Sequence, residues 1–416
     1  MIKSPKQVRV VVWVGLALIA FVLRVGLATT LPPEQGADAA IYSSIADNLV
    51  SGNGYSVNGI DPSRDRPPTY PLFLAAIYLV AGRSIAAVIV VQAFLGVFTV
   101  FLTGWLATQV FDRRAGIAAA ALAATFPALI YYDSRLLREG FAAFLVIATI
   151  CSAWRSRSGR TSDYLLTGVC IALVSLCRPE TGVLLGPAAF IASGPRLRIN
   201  QMIRPALFFL IPVMAGWIPW TVRNQQTFGS WSPVKAGIVS TIWYGSRWAE
   251  TGGDEQTAKD RTALKNEFWK KAEGAGDAGL EERFKQDLST DILGRPTWFL
   301  SMTAKKAVMF WKDANGVKRT LPKIHKTLPV LLNSYYYGLL WLALTALYIG
   351  RKNEAVRALA VTIVIYWATY ALLHVRNRYR VPLLPIVFIL SSGGLLYLFD
   401  RIRSAITPKH IASHSE

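Results

Sequence analysis

Asp38 and the run Arg66-Pro67-Pro68-Thr69-Tyr70-Pro71 are the residues whose types and spacing point most directly to chemistry. They follow an apolar span at 10–30. The segment that holds them, 31–71, carries Glu34, Asp38, Asp47, Asp61 and Asp65 against only Arg64 and Arg66, in a chain whose net charge is +20. A carboxylate can take a proton from a hydroxyl. A guanidinium can grip a phosphate with parallel hydrogen bonds. The prolines after Arg66 restrict its backbone to extended conformations, so the arginine is held in place. Where a membrane meets water, such a pair suits chemistry on a lipid-linked phosphate.

Other charges cluster between apolar runs. Asp133, Arg135, Arg138 and Glu139 form one compact link, in which Glu139 or Asp133 would be a second acid facing the cavity of Asp38. Arg178 and Glu180 flank Pro179 and are expected to pair with each other as a structural ion pair. Arg376, Arg378 and Arg380 fall within five residues, a density that suits a phosphate or diphosphate. His374, just before them, is expected to be a packed or capping histidine. Asp38 taken alone would also fit a solvated loop acid or a helix N-cap.

The elements that must position these groups are membrane helices. Of the 416 residues 53% are hydrophobic and only 17% charged, against about 25% in ordinary soluble domains. Thirteen Trp and sixteen Tyr suit many membrane–water boundaries. The fold class expected is an all-α polytopic membrane protein. The basic charge flanks apolar spans in small groups, which argues against a nucleic-acid partner. Cys151, Cys170 and Cys177 are odd in number and lie in or beside apolar runs, so no disulfide framework is expected, and no zinc-type spacing occurs. The first span contains Arg24 and lacks a small-residue cleavage site, so it is read as a retained helix.

Windows of about 20 apolar residues give about ten spans. They lie near 10–30, 84–111, 115–132, 140–154, 163–178, 181–194, 205–222, 328–350, 357–375 and 381–400. The apolar segment 70–82 is too short to cross and is expected to be an interfacial helix. With the N-terminus cytoplasmic, alternate loops carry seventeen Lys and Arg over six short segments, from Lys3, Lys6 and Arg9 to Arg401, Arg403 and Lys409. Both termini then lie in the cytoplasm. The acidic loop, the 133–139 link, the Arg178 turn, the 223–326 segment and the Arg376–Arg380 cluster face the other side. The expected division is an N-terminal catalytic module, 1–222, with its first loop at 31–83; an exoplasmic domain, 223–327, partly helical and including an amphipathic helix at 298–311; and a C-terminal part, 328–416. No repeat of 20–50 residues recurs, nor a two-fold hydropathy repeat of the transporter kind.

Four ordered stretches carry a resemblance. They are Asp38-Ala-Ala-Ile-Tyr42 with Gly52-Asn-Gly54-Tyr55; Arg66-Pro-Pro-Thr-Tyr70-Pro71; Pro219-Trp220-Thr-Val-Arg223-Asn224 with Phe228-Gly229; and Arg378-Tyr379-Arg380-Val-Pro382-Leu-Leu-Pro385. Segment 294–311 adds to them. The set resembles the GT-C class of polyprenyl-phosphate-sugar-dependent glycosyltransferases. It is most similar to the bacterial branch of protein O-mannosyltransferases and aminoarabinose transferases. The resemblance implies a GT-C bundle with interfacial helices and a small exoplasmic domain. It implies Asp38 as catalytic base, Glu139 as second acid, and Arg66, Arg376, Arg378 and Arg380 near the donor phosphate. Tyr42, Tyr55, Tyr70, Asp133, Arg138, Arg223 and Asn224 would line the substrate cavity. Position 39 is Ala, where many members carry Glu, so neither a metal site built on that pair nor a protein acceptor follows from the likeness.

The expected activity is transfer of a sugar from a polyprenyl-phosphate donor to a hydroxyl of a lipid, glycan or protein, with inversion. It would take place on the periplasmic face of a bacterial inner membrane. A single carboxylate on one side of the anomeric carbon and arginines on the other is the arrangement inversion requires. Asp38 and Glu139 could share a divalent metal or work without one, and no other cofactor is indicated. Two other readings stand beside it: a ligase or polymerase using polyprenyl-diphosphate glycans, and a transporter of lipid-linked sugars.

Overall fold

The computed structural model describes residues 5–31, 36–63, 66–194, 199–229, 231, 237–253, 258–272, 277–312 and 327–406. Lys3, Glu34, Arg64, Asp65, Arg196, Arg198 and Lys409 lie outside the described residues. The described residues are helical nearly throughout, and the one β-feature recorded among them is an isolated bridge between Ser56 and Pro62.

The chain opens with α1 (Pro5–Thr30), followed by two shorter helices, α2 (Ala37–Val50) and α3 (Thr69–Ala81). The long α4 (Ile85–Val110) packs on α1 and on α5 (Arg113–Thr125). Local signals set these starts. Ser84 accepts the Ala87 amide at 3.2 Å to cap α4, and Asp112 accepts the Ala115 amide at 2.8 Å to cap α5. The expected span at 115–132 is broken. Pro127 forces Phe126 into extended backbone, and α6 (Pro127–Asp133) leaves α5 at 54°. That bend delivers the charged link directly to α7 (Arg138–Arg155).

Helix α7 is buried along most of its length and packs on α4, α8 (Thr161–Cys177) and α9 (Leu185–Ser193). Helix α10 (Ile199–Phe228) then leans on α8 and carries Pro205, Pro212 and Pro219 inside it. It runs unbroken past 222, so the boundary drawn at 222/223 from sequence falls within a helix. The segment that follows holds α11 (Ile238–Glu250), α12 (Ala258–Ala272), α13 (Asp277–Gly294) and α14 (Pro296–Trp311). Trp243, Trp248, Leu264 and Phe284 give it a small core of its own. The chain closes with α15 (Leu328–Ile349), α16 (Glu354–Leu372) and α17 (Leu384–Ile406).

Among the described residues six helices are individually long and apolar enough to cross a membrane, and the bent α5–α6 pair makes a seventh if it is counted as one span. Helices α7, α8 and α9 fall on the remaining expected windows but are shorter or carry more charge. Val10, Val14, Leu18 and Val22 of α1, Phe94 and Phe98 of α4, and Leu207, Ile211 and Ile218 of α10 are all exposed. Apolar faces of that extent need lipid, not water, against them. This is an integral membrane protein.

Candidate active site

Asp38 stands in the first turn of α2, after Gly36 at the N-cap, where the helix dipole favours a carboxylate. Its side chain caps nothing; both oxygens face arginines. Arg66 Nη2 donates to Oδ1 at 2.8 Å, and Arg378 Nη2 donates to Oδ2 at 2.6 Å. All three side chains are 20–25% exposed, so the cluster sits at the rim of the packed interior. Burial opposes ionisation of Asp38, but Arg378 and Arg66 outweigh it and hold its carboxyl down at about 2.

Arg378 lies in the 3-10 turn Asn377–Leu383 that leads into α17. Its Nε is 3.4 Å from Oε1 of Glu139, which the first turn of α7 buries. The same Glu139 oxygen is 3.5 Å from Arg178 Nη1. Arg178 therefore does not pair with Glu180, as its sequence neighbourhood suggested. Glu180 stays within electrostatic reach but forms no ion pair with Arg178, whose Nε donates to the Tyr370 hydroxyl at 3.1 Å and whose guanidinium lies 4.6 Å from the Tyr379 ring. Oε2 of Glu139, Oε2 of Glu180 and Nη2 of Arg178 are buried without a hydrogen-bond partner in the protein. Buried polar atoms of this kind mark a place for a ligand or water.

Arg138 bonds the Cys177 carbonyl at 2.8 Å and lies within electrostatic reach of Asp38, Tyr42, Arg178 and Glu180. Four guanidinium groups (Arg66, Arg138, Arg178 and Arg378) thus surround three carboxylates, Asp38, Glu139 and Glu180.

The Arg66 segment is held from behind. The Tyr55 hydroxyl donates to the carbonyls of Arg66 at 2.9 Å and Pro67 at 3.2 Å. Arg223 sits among the rings of Tyr55, Trp220 and Phe228, and donates to the Tyr55 carbonyl at 3.5 Å and to Asn224 Oδ1 at 3.0 Å. Tyr42 lines the site under Arg66, at 5.6 Å from ring to guanidinium, and burial raises its hydroxyl pKa.

Several expected residues lie elsewhere. Asp133 is turned into the bundle, where Arg24 of α1 grips it at 2.6 Å and also bonds the carbonyls of Ala20, Ala123 and Ala124. A buried acid beside a fully buried arginine has no reason to face the cavity. Arg380 donates to the carbonyls of Phe310 and Lys312, closing the end of α14, because the 3-10 turn points it opposite to Arg378. Arg376 lies over the Trp248 ring at 5.7 Å, toward α11. Tyr70 is buried behind Tyr42 and donates to Gln92. His374 is packed against Tyr244, Trp248 and Tyr379, as expected.

Two positioning residues escaped the sequence reading. Gln92, about two turns into α4, accepts from Tyr70 of α3 and donates to the carbonyls of Asp133 and Arg135, and so ties α3 to the link before Glu139. An amide inside an apolar span, away from its ends, was the available signal. Lys306, fully buried on α14, donates to the carbonyls of Leu372 at 2.8 Å and Leu373 at 3.2 Å, fixing the end of α16 just before Arg376. Nothing local distinguishes it from Lys305.

The donor set does not fit a divalent cation. No group of three His, Cys, Asp or Glu side chains gathers among the described residues, and both Asp38 oxygens face guanidinium groups. A cavity of about 920 Å³ opens between α1 and α4, lined by apolar side chains and Arg9, with none of the candidate site residues on its walls.

Comparison with known proteins gives two kinds of match. The family model described as dolichyl-phosphate-mannose-protein mannosyltransferase matches residues 65–220, which include Arg66, Arg138, Glu139 and Arg178. The oligosaccharyltransferase AglB from Archaeoglobus fulgidus, solved with an inhibitory peptide and a dolichol-phosphate, superposes with a TM-score of 0.58 at 16% identity. The match covers 99% of this chain and 53% of that one. The same organism's oligosaccharyltransferase solved with Zn and sulfate gives 0.57 at 16% identity, over 95% and 50%. ArnT from Cupriavidus metallidurans, at 13% identity over 98% and 82%, has a TM-score of 0.44, too slight to argue from. No curated protein matches the sequence significantly. The chain spans about half the length of the oligosaccharyltransferase, and the likeness establishes its fold, the GT-C membrane fold.

Proposed function

We propose that the chain transfers a sugar from a polyprenyl-phosphate donor to an acceptor hydroxyl of a lipid, glycan or protein. The observation that carries this reading is the placement of Asp38 between Arg66 and Arg378, at the edge of a buried ionic cluster. Asp38 takes the proton of the acceptor hydroxyl. The acceptor oxygen attacks the anomeric carbon as the bond to the phosphate oxygen breaks. The electron pair leaves with the phosphate, whose growing charge is met by Arg66 and Arg378. Inversion requires the sugar to lie between Asp38 and the phosphate, with Arg66 and Arg378 turned from the carboxylate to the phosphate. Glu139, bridged to Arg378, fixes that arginine and offers Oε2 to the substrate.

The family match over 65–220 and the dolichol-phosphate in the AglB complex support a lipid phosphate as the carrier. The pattern of basic loops supports a periplasmic site in a bacterial inner membrane, with both termini in the cytoplasm. The segment after α10 lies close enough to Arg376 to shape the acceptor side.

The test compares membranes holding the wild type or Asp38→Asn, given polyprenyl-phosphate-linked sugars and a crude cell-envelope acceptor. Release of free polyprenyl phosphate is followed. The expected result is release by the wild type and a loss of at least about 100-fold in the variant. Normal transfer by Asp38→Asn at equal expression would remove Asp38 as base. Release of polyprenyl diphosphate instead would move the assignment to a ligase or polymerase.

A further inference from the structure

The base of the proposed reaction has no oxygen free of an arginine. A general base must turn a lone pair toward the hydroxyl it deprotonates, and Asp38 has turned both oxygens to Arg66 and Arg378. These are also the groups that the donor phosphate needs. We propose that Asp38 is an internal competitor of the donor phosphate: it holds Arg66 and Arg378 until the donor draws them away, and only then is it free to act as base. This rests on the transferase reading and adds to it an obligatory order, donor before acceptor.

The geometry allows such a transfer of partners. Arg66, Arg378 and Asp38 are each 20–25% exposed, so none is locked in the packed interior. Nε of Arg66 is buried without a hydrogen bond, so that fork has an unused donor, while Nε of Arg378 rests 3.4 Å from Glu139 Oε1, which anchors one edge of its fork. The prolines after Arg66 and the Tyr55 hydroxyl fix its backbone, leaving the side chain as the moving part. While its carboxyl is held near 2, Asp38 is a poor base; losing the arginines returns it toward the ordinary carboxylate range.

The charges change in the right sequence. The bound donor is a phosphodiester with one negative charge. As the sugar–oxygen bond breaks, the phosphate becomes a monoester and gains a second. The pull on the two arginines is therefore greatest as the acceptor proton moves to Asp38. The proton ends on Asp38 and the electron pair on the lipid phosphate.

The test is binding of farnesyl phosphate, a short prenyl phosphate, to the purified full-length protein in detergent. Removing a competitor strengthens a ligand, so Asp38→Asn is expected to bind at least about tenfold more tightly than wild type, or about 1.4 kcal/mol. Equal or weaker binding by the variant would overturn the competition while leaving the transferase reading intact. Binding by neither protein would overturn the phosphate site and both readings with it. Should the variant fail to fold, carbodiimide labelling of Asp38 in the wild type supplies the second measurement. Labelling is expected to rise several-fold when farnesyl phosphate is added, and an unchanged or lower yield would contradict the proposal.

Discussion

Arg378 reaches back over 340 positions of chain to place Nη2 2.6 Å from Asp38 Oδ2, while its Nε lies 3.4 Å from Oε1 of Glu139. One planar fork thus joins an acid of α2 to an acid of α7. A lysine keeps the charge but, as a single ammonium, does not span two anions.

Arg378→Lys is therefore expected to lower transfer about 100-fold, measured as release of polyprenyl phosphate. Arg380→Lys is expected to act chiefly on stability, since Arg380 bonds the carbonyls of Phe310 and Lys312. Equal kinetic losses in the two variants at equal expression would contradict this division of roles.

Tyr55→Phe removes the hydroxyl that holds the Arg66 and Pro67 carbonyls. One such bond is worth about 1 kcal/mol, so the donor KM is expected to rise about fivefold, with a smaller effect on kcat. A purely structural tyrosine would lower the melting temperature and leave the donor KM unchanged.

Arg24 and Asp133 form a buried pair within the bundle, with Gly96 and Gly140 leaving room for it. A Cβ at Gly96 would run into Arg24, and one at Gly140 into Asp133. Arg24→Leu strands a buried carboxylate and is expected to cost about 3–5 kcal/mol. The double variant Arg24→Leu with Asp133→Leu should regain much of that loss, as read from melting in detergent. No recovery would show that Arg24 acts through its carbonyl bonds alone.

The depressed carboxyl of Asp38 makes stability depend on pH. Its folded value, about 2, lies below the ordinary value of about 3.9, so its contribution is complete above about pH 4 and is lost as pH falls toward 2. The contribution is about 2 kcal/mol. The stability advantage of wild type over Asp38→Asn should accordingly hold from pH 7 to about 4 and shrink by pH 3. An advantage that does not change over that range would mean that the arginines do not hold the carboxyl.

Because guanidinium groups occupy the position a cation would need, chelators should leave transfer within about twofold of the untreated rate. Restoration of a chelated enzyme by Mg²⁺ or Mn²⁺ would overturn the metal-free arrangement.

The apolar windows, the membrane class and the ordered motifs were legible in the chain because each is local. A run of about 20 apolar residues can satisfy its backbone in lipid only as a helix, whatever it packs against. Arg66 was legible because prolines beside it constrain its own backbone, and Glu139 because a charge at the start of an apolar run is conspicuous. The bend at Pro127 had its signal too, a proline inside an expected span. Its consequence, that Asp133 turns inward, did not.

Partners were decided by the tertiary structure alone. Helices that meet protein on one face and lipid on the other are apolar on both, so their sequence does not say which face is inward. Hence Asp133 read as a cavity acid and proved to be the partner of Arg24, and Arg178 crossed to Glu139 instead of pairing with the adjacent Glu180. Arg376, Arg378 and Arg380 read as one cluster, yet a 3-10 turn points them in three directions, and only Arg378 reaches Asp38. The sequence determined which groups stand at the ends of the spans. Which of them meet depended on helix rotation and packing, set by contacts hundreds of residues apart.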